Sequence, residues 1–335
     1  MQNTPSAPSA GGEEEREITA PLDVQSLRQG WERLEARVPR WHVRLTVGAK
    51  SDLGRVRENN EDKFDILEPE DPAVLAARGR FYAVADGMGG HAAGQIAAEL
   101  ALKSVIRRYF GNTTDDLETA LISAVQYANG LVRDTAAGIP GRSGMGTTLT
   151  AAVVHENRVV VAHVGDSRLY LIRGGEIRQV TNDHSWVAEQ VRMGLLDAET
   201  AARSPFRNVI TRSMGAEPTV AVDLFHETLQ PGDILLLCTD GLTGHLSDPQ
   251  LAAIATATSP SVACMELIDA ANEAGGKDNI TVLIARVDAI EPYAAADKAQ
   301  PAPEPTTETA GSVDPPPAPD VGTETRRRFG LFGRR

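Results

Sequence analysis

The sequence predicts an α+β fold in which two antiparallel β-sheets carry helices on their outer faces. Three observations lead there. Eight β-branched, apolar runs are bounded by Gly, Asp or Asn. Successive strands are joined by very short turns. The long helical runs come in two sequential pairs, one before the central strands and one near the end, so each pair has a sheet face to cover.

The strand-like runs are HVRLTV (42–47), RFYAVAD (80–86), TTLTAAVV (147–154), RVVVAHVG (158–165), RLYLIRG (168–174), AVDLFHE (221–227), DILLLCTD (233–240) and NITVLIARV (279–287). The stretch RVVVAHVGDSRLYLIRGGEIRQV reads as an antiparallel meander, because GDS and GG are turn chemistry. Helical patterns cover 92–110, 117–136, 248–257 and 262–275. Asp248 and Pro249 read as the N-cap and first-turn proline of the third.

The ends differ from this middle. Residues 1–20 are small, polar and acidic, the composition of a disordered segment. Residues 21–41 form an amphipathic helix and linker, with Leu27, Trp31, Leu34 and Val38 on one face. A folded unit spans 42–289. Residues 290–325 hold eight of the 20 prolines and read as a linker. The basic tail at 326–335, RRRFGLFGRR, frames Phe329, Leu331 and Phe332 with five arginines. It has the character of a docking peptide for an acidic partner or an anionic membrane surface, or of a solvated tail.

Composition excludes several classes. The 335 residues carry 33 Lys+Arg against 46 Asp+Glu, a net charge of −13, which argues against nucleic acid as a partner. Cys238 and Cys264 stand alone, as expected of core thiols in a reducing cytosol. No apolar run reaches the roughly 18–20 residues of a membrane span. No signal peptide is evident, so the expected location is cytoplasmic and the expected state a monomer.

The chemistry-bearing pattern is the placement of aspartates. Apolar runs end in Asp86-Gly87, in Gly165-Asp166 and in Asp240-Gly241, and Asp278-Asn279 opens a fourth run. A single Asp-Gly is more often a turn than a ligand. Four strand ends that converge would place carboxylates together at a heavy electrostatic cost unless cations sit between them. Hard divalent ions such as Mg²⁺ or Mn²⁺ suit oxygen donors, and no Cys or His cluster points to zinc. Arg57, in SDLGRVRENNED, is a planar donor fork suited to two phosphoryl oxygens, or a surface partner of Glu61 or Asp62.

The blocks SDLGRVRENNED, AVADGMGGHAAG, GMGTTLTAAVV, AHVGDSRLY, TNDHSWV, RNVITRSMG, LLLCTDGLT and GGKDNITV occur in that order. Over about 42–289 the chain resembles the bacterial branch of the PPM (PP2C-like) metal-dependent protein serine/threonine phosphatases. The resemblance implies an α-β-β-α four-layer sandwich. It implies that Asp86 bridges two Mn²⁺ or Mg²⁺ ions, one of which also takes the Gly87 carbonyl. Asp240 and Asp278 complete the pair of ions, Asp62 holds metal-bound water with Glu61 beside it, and Asp166 and Asp240 bind a third ion. Arg57 grips the substrate phosphate.

The implied reaction is direct attack on phosphoserine or phosphothreonine by water held between two ions, on protein substrates phosphorylated by a Ser/Thr kinase. Animal members have a histidine where this chain has Met88, which leaves the leaving-group proton to His91 or to a metal-bound water. Residues 183–214 match a mobile flap, with Met193-Gly194 as a hinge and Ser204 where a histidine is common. The competing reading is a non-catalytic phosphoprotein-binding module of the same fold. It predicts lost ligand positions, and here every one is filled.

Overall fold

The computed structural model describes residues 38–90, 92–112, 116–139 and 144–293. The N-terminal segment with the helix expected there, the proline-rich linker, the basic tail and His91 lie outside the described residues.

Twelve strands are described: β1 (Trp41–Asp52), β2 (Lys63–Leu67), β3 (Arg80–Ala85), β4 (Gly87–Met88), β5 (Gly146–Thr147), β6 (Leu149–His155), β7 (Arg158–Val164), β8 (Arg168–Arg173), β9 (Glu176–Gln179), β10 (Asp223–Thr228), β11 (Ile234–Cys238) and β12 (Ile280–Pro292). One five-stranded sheet has the order β1-β12-β11-β8-β9 and the other β10-β7-β6-β3-β2, with every pair antiparallel. Strands β4 and β5 form a small third pair.

The helices are α1 (Pro72–Arg78), α2 (Ala92–Gly111), α3 (Leu117–Gly138), α4 (Trp186–Arg192), α5 (Ala198–Arg203), α6 (Asp240–Thr243), α7 (Asp248–Ala257) and α8 (Pro260–Glu273). Three apolar layers hold the molecule together. Alternate residues of β3 and β6, such as Phe81, Ala83, Ala151 and Val153, face α2 and α3. Their neighbours Tyr82, Val84, Ala152 and Val154 face Leu235, Leu237, Leu283 and Ala285 of the other sheet. Leu236, Val282 and Ile284 then face Leu251, Leu267 and Ile268 of α7 and α8. The period-2 alternation of each strand fills two layers at once, so these strands read as continuous apolar runs rather than as alternating ones. Both cysteines are free and buried.

Two expectations are corrected. The GDS turn does not join neighbours of a meander: β7 and β8 lie in different sheets, and Gly165-Asp166-Ser167 carries the chain across the sandwich. Only the GG turn makes a hairpin, pairing β8 with β9. The cap of α7 is Ser247, whose N–H donates to Gln250 Oε1 at 2.9 Å, with Asp248 and Pro249 inside the first turn.

Candidate metal centre

Register explains why distant aspartates meet. β3 and β7 both run antiparallel to β6, with Val84 opposite Thr150 and Val164 opposite Leu149. Their C-terminal ends therefore lie side by side and present Asp86 and Asp166. In the other sheet Cys238 pairs with Val282 and with Arg168, and Ile280 pairs with Asp52. The end of β11, the start of β12 and the end of β1 share one edge, which carries Asp240, Asp278 and the loop to Arg57. Both edges lie at the same end of the sandwich, where Asp62, Asp86, Asp166, Asp240 and Asp278 are within electrostatic reach of one another.

The loops are locally determined. Gly54 has φ +80°, a conformation that side chains rarely adopt, and an added Cβ would collide with the carbonyls of Asp278 and Gly276. That close approach lays the 52–57 loop over Asp278 and brings Arg57 Nη2 to 2.6 Å from Asp278 Oδ2. Arg57 thus has an ion-pair partner in Asp278, with Glu61 also within its electrostatic reach. Asn279 staples the loop: its Nδ2 donates to the carbonyls of Leu53 and Asn59, and its Oδ1 accepts from Glu61 N–H, all at 2.9 Å. A Cβ on Gly87 would strike the carbonyls of Gly94 and Glu61, so β4 and the start of α2 touch backbone to backbone. The Glu61 carboxylate lies against Gly94, on the side of Gly87 and α2.

Hydroxyls line the floor. Asp62 is buried and accepts from Thr239 Oγ1 at 2.7 Å, and Thr239 Oγ1 accepts in turn from Thr281 N–H. Asp86 N–H donates to Thr148 Oγ1 at 2.8 Å, which lies 2.7 Å from Ser167 Oγ. None of these threonines or Ser167 stands out in the sequence, because hydroxyl residues beside strand ends are also ordinary turn residues.

The carboxylates are out of balance with their surroundings. Burial, opposed by hydrogen bonds from Thr239 and Thr281, pushes Asp62 up to about 7. Burial first, then repulsion from Asp240 and Asp183, pushes Asp166 up to about 8. Asp86 is raised by burial and by repulsion from Asp62, Asp240, Asp166 and Asp278, and Asp240 by burial and then by Asp278. Asp86 and Asp240 remain partly accessible at the floor of the crevice.

Among the described residues, no group of three or more His, Cys, Asp or Glu side chains stands ready to hold an ion as placed. Asp278 is turned to Arg57, Asp62 to Thr239, and Asp240 lies beside Asp86. The donor chemistry nonetheless fits hard dications. All the donors are oxygens, their like charges are compensated only in part by Arg57 and Arg168, and Asp166 Oδ1 is buried without a hydrogen-bond partner. Beside the aspartates opens a cleft of about 600 Å³ bordered by Asp166, Asp240, Arg168, Asp183, Arg192 and Arg207. Its far wall is the 183–214 segment with α4 and α5, and Gly194 there has φ +71°.

Comparison with known proteins places this geometry. The protein phosphatase 2C family model matches residues 55–274. The serine/threonine phosphatase stp of Listeria welshimeri is 39% identical over 242 residues, which is 70% of this chain and 93% of that protein. The catalytic domain of PstP, a serine threonine protein phosphatase solved in complex with two manganese ions, is similar with a TM-score of 0.63 and 35% identity, covering 73% of this chain and 99% of that one. Stp1 of Staphylococcus aureus gives a TM-score of 0.68 at 32% identity, over 73% of this chain and 96% of its own. With the match spanning most of the folded unit, the chain belongs to the protein phosphatase 2C family.

Proposed function

We propose that this protein is a metal-dependent protein phosphatase that hydrolyses phosphoserine and phosphothreonine. The observation that carries the reading is the gathering of Asp62, Asp86, Asp166, Asp240 and Asp278 at one end of the sandwich, with Arg57 at its mouth.

Divalent cations bound among these carboxylates supply a nucleophile from water near neutral pH and Lewis acidity toward phosphoryl oxygens. Asp86, Asp240 and Asp278 would hold two such ions with the Gly87 carbonyl, Asp62 would hold their water with Glu61 beside it, and Asp166 and Asp240 would hold a third. Mn²⁺ and Mg²⁺ both suit this donor set. Arg57 addresses the phosphoryl oxygens. Its bond to Asp278 uses Nη2, and its side chain is 51% exposed, so the pair is weakly held and the fork is open to an anion. The leaving oxygen takes its proton from His91 or from water. A His91→Gln variant that keeps the wild-type pH profile of kcat assigns the role to water. The cleft beside Asp166 receives polypeptide flanking the phosphorylated side chain.

The protein acts as a monomer on cytoplasmic phosphoproteins, in opposition to a Ser/Thr kinase. The catalytic unit spans about 42–289. Among the described residues no helix is long and apolar enough to cross a membrane. The test is phosphate release from phosphoserine, phosphothreonine and phosphotyrosine peptides with Mn²⁺ or Mg²⁺. Turnover of the first two is expected. Metal-dependent binding of phosphopeptide without turnover would favour a binding module instead.

A further inference from the structure

The Gly165–Asp166 turn is held by one histidine, through its ring and its backbone. Gly165 N–H donates to His184 Nδ1 at 2.9 Å, and His184 N–H donates back to the Gly165 carbonyl at 2.8 Å. His184 is 2% exposed, and its ring packs against His163, tilted by 34°, with centroids 4.8 Å apart. Because Nδ1 accepts a hydrogen bond, the neutral ring carries its proton on Nε2. Nε2 faces Asp223 Oδ2 at 3.1 Å. Arg212 Nη1, itself a donor, lies 2.9 Å from Nε2 and is satisfied by Asp223 Oδ1 at 2.6 Å. Asp223 thus fixes the tautomer and the tilt of the ring.

The same residue closes the base of the 183–214 flap. Thr211 N–H donates to the His184 carbonyl and Trp186 N–H to the Val209 carbonyl, both at 2.8 Å, and Ser185 forms a β-bridge with Ile210. Both stems of the flap and the turn that carries Asp166 are therefore tied at one point. Asp166 Oδ1 has no hydrogen-bond partner of its own. The backbone of its turn consequently does much of the aiming.

We propose that His184 is a positioning residue for Asp166: its Nδ1 clip on Gly165 aims the carboxylate at a divalent cation and couples that cation to the seating of the flap. This rests on the reading that Asp166 is a cation ligand. Groups that orient a ligand from behind ordinarily change metal affinity by about 10–100-fold when removed.

Two substitutions separate the two ends of the ring. His184→Asn puts an amide oxygen where Nδ1 stands, so the clip survives while the reach to Asp223 is lost. His184→Gln keeps a polar group near Nε2 and loses the clip. A third variant, Asp223→Ala, leaves the ring in place but frees its tilt. Bound Mn²⁺ is counted and its Kd measured by electron paramagnetic resonance on the full chain without substrate, with Asp166→Asn as reference and melting in EDTA as the folding control. Hydrogen exchange of residues 186–210 reports the flap.

The expected result is that Asp166→Asn loses one ion and that His184→Gln weakens that same ion by about 10–100-fold. The other ions stay unchanged, flap exchange rises, and His184→Asn stays close to wild type. Asp223→Ala weakens the same ion, so the proposal remains open to test even where His184→Gln fails to fold. Wild-type binding in His184→Gln and Asp223→Ala while Asp166→Asn loses an ion would overturn the proposal. Equal weakening in His184→Asn and His184→Gln, which marks general packing, overturns it as well. If Asp166→Asn binds as many ions as wild type, the ligand reading itself fails and takes the proposal with it.

Discussion

Asp62 and Asp166 carry opposing demands. They must be ionised to hold a cation, yet burial pushes them up to about 7 and about 8 from 3.8. A folded-state pKa above the unfolded value favours the protonated native form. The stability these groups contribute is therefore fully present below about pH 4 and lost as pH rises through about 7 to 8. Protein stripped with EDTA should melt at progressively lower temperature from pH 5 to pH 8.5. Mn²⁺ should restore the melting temperature most at the alkaline end, as differential scanning calorimetry would read. Arg57→Ala should lower kcat/KM by about 10–100-fold, the loss of a charge-assisted contact. Arg57→Lys should recover only part of it, because a point charge lacks the fork. Asp86, Asp166, Asp240 and Asp278 were legible because each stands where an apolar run stops or starts beside a glycine or an asparagine, whereas Asp62 was marked only by the family resemblance. The partner of Arg57 was not: Asp278 is 221 positions away, and only the register of β1 against β12 brings it near.

Elements hold these residues in place through backbone contacts that sequence patterns do not display. The strand β4 touches the first turn of α2 at Gly87 and Gly94, where no side chain fits. Gly87→Ala should cost about 1–3 kcal/mol of stability from overpacking. It should also weaken metal binding, because the displaced strand carries Asp86 with it. Urea unfolding in EDTA and in Mn²⁺ separates the two effects. The strand β2 escaped the sequence reading because KFDIL is short and half-buried along its whole length, so neither alternation nor a continuous apolar run marks it. The division of β7 and β8 between sheets was hidden for a different reason. Gly165-Asp166-Ser167 has the composition of a tight turn, and a tight turn serves a crossing between sheets as well as a hairpin. That crossing is what places Asp166 beside Asp86.

At the scale of the molecule, the apolar layer between the two sheets fixes their separation, and that separation sets the distance between the Asp86 and Asp240 edges. The strand β12 runs to Pro292, and Tyr293 N–H donates to the Arg40 carbonyl. A chain cut after Tyr293 should keep the melting temperature of the full chain and its turnover of a small phosphopeptide. The overall layering was legible because apolar runs and paired helices record it directly. Whether the converging aspartates make a metal-dependent phosphatase is decided by phosphate release from a phosphothreonine peptide in Mn²⁺, with wild type and Asp240→Asn assayed side by side and each assayed again in EDTA. The expected result is turnover by the wild type in Mn²⁺, none in EDTA, and at least about a 10²–10³-fold loss in the variant. Undiminished turnover in EDTA, or by Asp240→Asn, would contradict it.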